Sequence, residues 1–312
     1  VLVISSVGFA NKEVTVGDED QVNIELTPAA QEIGEVVVVG YGTQRKEAIT
    51  GSVASISGAR MREVPSANIS QALQGRIAGV ELSQTSTRPG ATMQIRIRGT
   101  RSLSADNNPL IVLDGIPFIG SLADLNPNDI KSIEILKDAS ATAIYGSRGA
   151  NGVILVTTDK GVRGRSARVN YSGYVGAQKV FAKYPMMNGP EFVKLRAARG
   201  QYVNGQDESD DLNTDYQDLF YKTGIVTDQS ISLSGGTETG SYNFGAGYYQ
   251  NQAVIPTQQY TRYSLRGSLE QGVGKHFRFG FTTNNNYNVS EGNQVGIYSI
   301  LSMTPITSPY ND

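Results

Sequence analysis

The sequence predicts a mixed fold: the end of a small β-sandwich, then a compact α/β domain, then the first strands of an antiparallel transmembrane β-barrel. Two observations separate the last two parts. Only four of the 25 aromatic residues (Phe9, Tyr41, Phe118 and Tyr145) precede residue 160. Beyond that point, five segments alternate strictly between apolar and polar residues, as strands with one apolar face do. We therefore predict a β-sandwich end at 1–30, a linker at 31–43, the α/β domain at 44–160 and barrel strands at 161–312.

The composition excludes several classes of protein. The chain has 312 residues, a formal net charge of −2, no cysteine and one histidine, His276. Disulfides and thiolate metal sites are therefore impossible, and no basic surface indicates nucleic-acid binding. The sequence contains no run of 18 apolar residues, so no membrane-spanning helix is predicted. The chain opens on "VLVISSVGF" without a charged leader, which predicts a strand entered partway in a mature or cut form of the protein.

The first 43 residues contain strand-like runs and a tether. "VLVISSVGF" and "QVNIEL" predict two strands, joined by a polar connection that includes "GDED". Residues 28–34 form a linker, and the run Val36–Val39 follows it. Four valines without alternation are typical of a strand buried on both faces. A β-prone segment on a tether is also what strand addition by a partner protein requires. Both interpretations stay open for this segment.

Residues 44–160 mix helical and strand patterns. Ile69, Leu73 and Ile77 lie four residues apart, which predicts a helix that begins at Ser66 or Asn68 and stops at Gly79. "MQIRIRGT" alternates as a half-buried strand, and "PLIVLDGIPF" is a strand that turns at Asp114-Gly115. The stretch 130–158 predicts a strand, a short helix capped by Asp138, a glycine turn and a second strand. Together these elements predict a compact globular domain.

The five alternating segments allow two interpretations. They could form a soluble antiparallel sheet, or a barrel whose apolar face meets lipid. The predicted connections are alternately long and short: 178–225, 235–240, 251–260 and 271–275. Outer-membrane barrels show this alternation because tight turns lie at one end and longer external loops at the other. The aromatic excess also suits interfacial girdles. We therefore favour the barrel, which five strands cannot close, so we expect a longer parent protein.

No catalytic motif is present in the sequence. The glycines of "GSRGANG" (146–152) join a helix to a strand, the reverse of a phosphate loop, and predict a tight turn. "DESDDLNTDYQD" (207–218) has the oxygen spacing of a calcium loop. However, Leu212 stands where that loop needs glycine and Asp218 where it needs glutamate. We therefore predict a solvated acidic loop, no metal site, no cofactor and no enzymatic activity.

Several long motifs in this order resemble the SusC/RagA family of TonB-dependent outer-membrane transporters. The motifs are "EVVVVGYGTQRK" (35–46), "NISQALQGRIAGV" (68–80), "IRIRGTRS" (95–102), "PLIVLDGIPF" (109–118), the stretch 125–161 beginning "LNPNDIKSIEILKD", and "DYQDLFYKTG" (215–224). The resemblance implies that 1–30 end a carboxypeptidase-regulatory-like β-sandwich extension. It also implies that 44–160 form the plug of a 22-stranded barrel, of which 161–312 supply the first strands.

The same resemblance implies a function. It predicts TonB-dependent import of an oligosaccharide or peptide across the outer membrane, with a SusD-like surface lipoprotein and with residues 1–43 in the periplasm. TonB, with its inner-membrane energising complex, would bind the TonB box, Glu35, Val36, Val37, Val38, Val39 and Gly40. Arg88, Arg101 and Asp106 lie in candidate plug loops and are candidate substrate contacts, although the two arginines could instead pair with barrel carboxylates. The alternative function is an adhesin-like surface β-protein without transport.

Overall fold

The structure is a computed structural model that describes residues 53–63, 68–104, 106–201, 212–274, 276–292 and 296–309, together with the backbone of four short strands before residue 46. The strands are β1 (Leu2–Ile4), β2 (Lys12–Val14), β3 (Val36–Val39), β4 (Gly42–Arg45), β5 (Val53–Ser57), β6 (Val80–Gln84), β7 (Met93–Ile97), β8 (Leu110–Leu113), β9 (Ile116–Pro117), β10 (Ile130–Leu136), β11 (Val153–Thr158), β12 (Arg168–Gln178), β13 (Gly224–Gly236), β14 (Gly240–Gln252), β15 (Gln259–Val273) and β16 (Phe277–Glu291). The α-helices are α1 (Gly58–Arg62), α2 (Ile69–Leu73), α3 (Ala139–Thr142), α4 (Gly189–Ala198), α5 (Tyr216–Phe220) and α6 (Ile297–Leu301).

The first four strands form two antiparallel pairs. β1 pairs with β2, and β3 pairs with β4. The sequence patterns did not indicate β2, because Lys12–Val14 is too short to show an alternation. The predicted strand "QVNIEL" and the "GDED" connection lie outside the described residues.

The α/β domain is built on a sheet that is buried on both faces. Its strand order is β5-β10-β11-β8-β9, with β8 parallel to β11 and the other neighbours antiparallel. On one face, Ile133, Ile135 and Ile154 pack against α1, α2 and the β6–β7 hairpin. On the other face, Leu136, Val153 and Leu155 pack beneath α3. Burial on both faces explains why "VILV" in β11 shows no alternation.

The helix predicted from 66–68 to Gly79 is shorter than expected. The side chain of Asn68 caps α2 by accepting a hydrogen bond from the N–H of Ser70 at 2.8 Å, and the helix ends at Leu73. Gly75 follows with φ +71°, a left-handed conformation that ends a right-handed helix. Ile77 is buried, but it lies in the turn after the helix. The four-residue spacing therefore predicted the burial of Ile77 correctly and the length of the helix wrongly.

The predicted turns of the α/β domain are confirmed. Asp114 and Gly115 have φ of +49° and +90°, the pair of positive angles that a two-residue hairpin needs. In the glycine turn, Gly146 and Gly152 have positive φ, so the segment is a turn between a helix and a strand. Asp138 stands at the N-cap of α3 without a capping side-chain hydrogen bond, and its carboxylate instead forms an ion pair with Arg98.

The five predicted strands form a single antiparallel sheet, which we call the wall sheet (β12–β16). Each strand pairs with the next in chain order, so the sheet is a simple meander. The connections have the predicted alternation: 179–223, 237–239, 253–258 and 274–276. Of the eight strand ends that border these connections, seven extend one to three residues beyond the prediction, and β16 begins one residue later than predicted. Backbone pairing continues past the region where apolar alternation is visible.

The two faces of the wall sheet differ in chemistry. One face carries exposed apolar side chains such as Leu265, 60 % exposed, and Phe279, also 60 % exposed. A row of tyrosines crosses this face, with ring centroids of Tyr248 and Tyr263 5.4 Å apart and those of Tyr263 and Tyr287 6.4 Å apart. From Tyr263 to Val273 is about 33 Å along the strand, or about 23 Å across a membrane at a 45° tilt. This height matches the lipid-facing band of an outer-membrane barrel.

Within the described ranges, every helix is too short or too polar to cross a membrane.

Candidate functional site

The polar face of the wall sheet lies against the α/β domain, and Arg262 is at the centre of this contact. It projects from β15 and is 2 % exposed. Its guanidinium donates hydrogen bonds to the carbonyls of Ala123 and Leu125, at 3.0 and 3.3 Å. It also lies over the ring of Tyr249, 5.3 Å from the centroid. A cation that is fully desolvated needs such partners, so Arg262 ties the loop before β10 to the wall sheet.

Arg266 forms a second link, four residues further along β15. It is 3 % exposed and donates to the carbonyl of Asp129 at 3.3 Å. Its other terminal nitrogen donates to the Thr158 hydroxyl and to the Asp159 carbonyl. These acceptors lie at the start of β10 and the end of β11, which are neighbours in the α/β domain. One arginine therefore holds two adjacent strands of the domain against the wall sheet.

Side-chain amides complete the contact between the two bodies. Asn243 donates to the Asp159 carbonyl at 3.0 Å, and Asn288 donates to the Asp124 carboxylate at 2.8 Å. Two longer hydrogen bonds, both 3.4 Å, join Asn126 to the Ser264 hydroxyl and Asn128 to the Asp228 carboxylate. The contact is therefore mainly polar, with hydrogen bonds spread over β13 to β16, as expected for two surfaces that meet inside a water-accessible lumen.

Glycines let the backbones approach closely at this contact. A Cβ atom on Gly247 would lie 2.5 Å from the Ser264 hydroxyl and 2.7 Å from the Asn126 amide. A Cβ atom on Gly245 would lie 3.1 Å from the Asp129 carboxylate. β14 thus presents a shallow surface onto which the 126–129 turn of the α/β domain fits.

Two carboxylates of the α/β domain, those of Asp129 and Asp159, are half-buried near these arginines. Burial raises the pKa of Asp129, and Arg266 lowers it by less, so the net pKa lies above the ordinary value of 3.8. Burial likewise raises the pKa of Asp159, against the opposing effect of Arg62 and Arg266. In each case desolvation outweighs attraction to the arginines. The charged carboxylates therefore weaken the contact that the arginines maintain.

The predicted substrate contacts lie in two separate places. The Arg88 guanidinium donates to the Gly292 carbonyl at 2.9 Å, at the end of β16. Arg101 donates to the Ala150 carbonyl within the α/β domain. Asp106 is nearby: its carboxylate accepts from the N–H of Asn108 at 3.0 Å, and its carbonyl accepts from Asn151 at 2.8 Å. Both arginines thus contact backbone carbonyls, and whether any of the three residues binds substrate stays a prediction.

The valine run lies in a hairpin. β3 pairs with β4 through Val37–Gln44, Val38–Thr43 and Val39–Gly42, and among the described strands it belongs to neither five-stranded sheet. The edge of β3 away from β4 has no partner among the described strands, which is the geometry a further strand needs.

Hydrogen bonds order the connection 179–223 and join it to the segment that follows β16. Asp215 caps α5 by accepting from the N–H groups of Gln217 and Asp218, and it also contacts Lys183 at 3.2 Å. Burial raises the pKa of Asp215. The hydrogen bond from the N–H of Asp218 and the Lys183 ammonium together lower the pKa by more than burial raises it, so the net pKa is below the ordinary value. The N–H of Thr214 donates to the Pro305 carbonyl at 2.8 Å. The Thr214–Pro305 hydrogen bond therefore ties the connection 179–223 to the segment that follows β16.

The described part of the acidic loop has structural roles. Asp215 and Asp218 both pair with Lys183. Within the described ranges, no three acidic or histidine side chains are placed to hold a metal ion. Residues 207–211 lie outside those ranges, so the absence of a calcium site at 207–218 stays a prediction.

Arg262 and Arg266 were not singled out from the sequence as functional residues. Strict alternation assigned them to the polar face of β15, which is correct. What the sequence could not show is that this face is covered by the α/β domain. From the sequence alone, an arginine on the polar face of a strand is expected to be solvated, because its partners are not known.

Comparisons with known proteins agree with this architecture. Residues 45–153 match the family described as the TonB-dependent receptor plug domain. A TonB-dependent receptor of Formosa agariphila, P26, is 40 % identical over all of this chain and 32 % of its own length. The TonB-dependent receptor SusC of Bacteroides thetaiotaomicron is 37 % identical over 86 % of this chain and 27 % of its own length. The structure of the RagAB peptide importer in its open-open state has a TM-score of 0.80 and 29 % identity, covering 88 % of this chain and 35 % of that chain.

An α/β plug held against the polar face of an antiparallel sheet, with a lipid-type face on the other side, defines a plugged-barrel receptor of the outer membrane. The chain belongs to the SusC/RagA type of TonB-dependent receptors. It spans about a third of the length of the relatives it matches. The α/β domain is the plug, and β12–β16 are strands of the barrel wall.

Proposed function

We propose that this chain is the plug and part of the wall of a receptor that imports a nutrient, an oligosaccharide or a peptide, across the outer membrane with energy delivered by TonB. The proposal keeps the division predicted from the sequence: a carboxypeptidase-regulatory-like end at 1–30, a linker and TonB box at 31–43, the plug at 44–160 and barrel strands from 161. Residues 1–43 lie in the periplasm.

The observation that carries the proposal is the buried polar contact between plug and wall sheet. Arg262 and Arg266 hold the plug through carbonyls at 123–129 and 158–159. A domain that fills a lumen must be moved before a solute passes, and hydrogen bonds exchange with water at a modest net cost. An adhesin-like protein, the alternative function, would have no need for a domain anchored in this way.

Energy enters through the segment Glu35 to Gly40. The edge of β3 away from β4 is open to a partner strand among the described strands, so TonB binds there by strand addition. Backbone hydrogen bonds dominate such binding, and the β-branched valines favour the extended state. The β3–β4 pair holds the segment extended while its second edge remains available.

Further partners follow from the relatives. A SusD-like lipoprotein covers the outer end of the wall sheet, where the connections 179–223 and 253–258 lie. Among the named relatives, RagAB is described as a peptide importer, whereas the description of SusC names no substrate.

The test uses the full-length receptor and the purified periplasmic domain of TonB. Val38→Pro removes a backbone N–H from the middle of β3, and proline cannot sit inside a paired strand. We expect TonB binding to be lost and uptake to stop, with expression and membrane insertion unchanged. Growth on a panel of glycans and peptides as sole carbon source reports uptake.

Val37→Thr is the matched control. It keeps a β-branched side chain and every backbone donor, so TonB binding and growth should stay within a few-fold of the parent. If Val38→Pro binds TonB and supports growth like the parent, or does not reach the membrane at all, residues 35–40 are not the docking strand.

A further inference from the structure

A short, strongly basic segment joins the plug to the wall sheet. It covers residues 160–168, "KGVRGRSAR", between the end of β11 and the start of β12, and we call it the basic connector. It contains no acidic residue, and its cations are all exposed: Lys160, Arg163, Arg165 and Arg168. The whole chain has a net charge of −2, so the positive charge of the connector is a local feature.

Backbone contacts hold the basic connector against the tight-turn end of the wall sheet. The N–H of Gly164 donates to the Thr237 carbonyl, and the N–H of Gly236 donates to the Arg165 carbonyl, both at 2.9 Å. Gly161 packs so closely on β14 that a Cβ atom on it would lie 2.3 Å from a carbonyl oxygen of that strand. The connector therefore carries its cations at a fixed place on the rim of the sheet.

The protein neutralises only part of this charge. The Glu270 carboxylate is shared by two arginines, Arg163 at 3.4 Å and Arg278 at 3.5 Å. Within the described ranges, the other three cations have no carboxylate at ion-pair distance: Lys160, Arg165 and Arg168. Two further carboxylates lie at this end, those of Asp159, which is half-buried, and Glu238 in the β13–β14 turn. Five cations thus face three carboxylates, and the rim is positive.

The lipid face of the wall sheet begins where the basic connector ends. Val169, the residue after Arg168, lies on that face and is 67 % exposed. Val273 and Phe277, on either side of the next tight turn, are also exposed and mark the same edge of the band. One strand residue spans about 3.3 Å, so Arg168 lies at the depth of the headgroup layer, which is roughly 5–8 Å thick on each side. In outer-membrane barrels the tight-turn end faces the periplasm.

An anionic phospholipid matches both the charge and the position of this rim. Phosphate oxygens accept hydrogen bonds from arginine and lysine, and the attraction grows with each cation near the membrane surface. The acyl chains of the same lipid cover the apolar side chains that begin at Val169. An acidic protein would match the charge of the rim and leave these apolar neighbours unexplained.

We propose that the basic connector binds the headgroups of anionic phospholipids in the periplasmic leaflet of the outer membrane, through Lys160, Arg165 and Arg168. The contact fixes the depth of the wall sheet in the membrane at the point where the plug joins it. It needs neither TonB nor substrate, so it goes beyond the proposed function and is tested separately from it.

The test is photo-crosslinking of the full-length receptor in nanodiscs of neutral lipid. The probes are phosphatidylglycerol and phosphatidylcholine, each with a diazirine near the acyl carbonyl, and mass spectrometry counts the cross-links on residues 160–170. Phosphatidylglycerol should label these residues about threefold more than phosphatidylcholine does. The preference should vanish at 1 M salt, where the screening length falls to about 3 Å. The triple variant Lys160→Gln, Arg165→Gln, Arg168→Gln should bring the ratio of the two labels close to one.

Two control variants separate the position of the charge from its amount and from folding. The matched triple variant removes three exposed cations from the plug and the outer connection, and its ratio should equal that of the parent: Arg148→Gln, Lys194→Gln and Arg199→Gln. Arg165→Lys with Arg168→Lys keeps the charge and should also label like the parent.

The proposal is overturned if the connector triple variant keeps the preference for phosphatidylglycerol, or if the matched triple variant loses it. Equal labelling of the parent by the two lipids would also overturn it, and would make an acidic periplasmic protein the partner of this rim.

Discussion

Replacing Arg262 by methionine should release the plug from the wall sheet locally. Methionine keeps much of the length of arginine and none of its charge or donors. The carbonyls of Ala123 and Leu125 would lose a charged donor, and Tyr249 would lose its cation. A buried carbonyl left without a partner costs about 1–3 kcal/mol, and the cation over the ring about 1–2 kcal/mol. New apolar contacts of methionine offset part of this loss.

We therefore expect the free energy of local opening to fall by about 3 kcal/mol, the order found when one side of a buried polar contact is removed. At 1.4 kcal/mol per factor of ten, this corresponds to amide exchange about 100-fold faster. The reporters are the amides of Asp124, Leu125, Asp129 and Asp159, which form hydrogen bonds next to the arginine contacts. Hydrogen exchange of the full-length receptor in nanodiscs measures them.

The control is Arg278→Met in β16, whose side chain is 66 % exposed and pairs with Glu270 at 3.5 Å. An exposed pair contributes about 0–1 kcal/mol, so the same amides should exchange within a few-fold of the parent. If Arg262→Met accelerates exchange no more than Arg278→Met does, Arg262 does not anchor the plug.

Three further predictions concern the same contact and the lipid face. Asp129 has a raised pKa, so the contact loses stability as the pH rises from 3.8 to that raised value. Asp129→Asn should therefore slow exchange of the Asp159 amide at neutral pH and remove this pH dependence. An unchanged pH profile would contradict the reasoning. Gly90→Ala combines positive φ with a collision against Tyr260, whereas Gly75→Ala has the positive φ alone. Only the first should speed exchange of the Ala91 amide. Leu265→Arg places a charge on the lipid face and should cost about 2–4 kcal/mol, visible as a lower folded fraction in membranes, while Ser172→Arg on the lumen face should fold normally.

Local patterns were enough to predict most elements of this chain. Strict alternation identified all five strands of the wall sheet and which face of each is apolar, because side chains alternate between faces whatever lies beyond them. The Asp114-Gly115 turn was predictable for a similar reason, since two positive φ angles need those residue types. The length of α2 was not: Gly75 ended it early, and tertiary packing buried Ile77 in the following turn.

The sequence by itself determined the family, the order of its parts and the sidedness of the sheet, since each depends on residues close together in the chain. The tertiary structure decided what the polar face does. Arg262 reaches carbonyls 137 and 139 residues away, and Asn288 reaches the Asp124 carboxylate 164 residues away. No local pattern encodes these contacts, because an arginine or an asparagine on a polar strand looks the same whether it meets water or another domain.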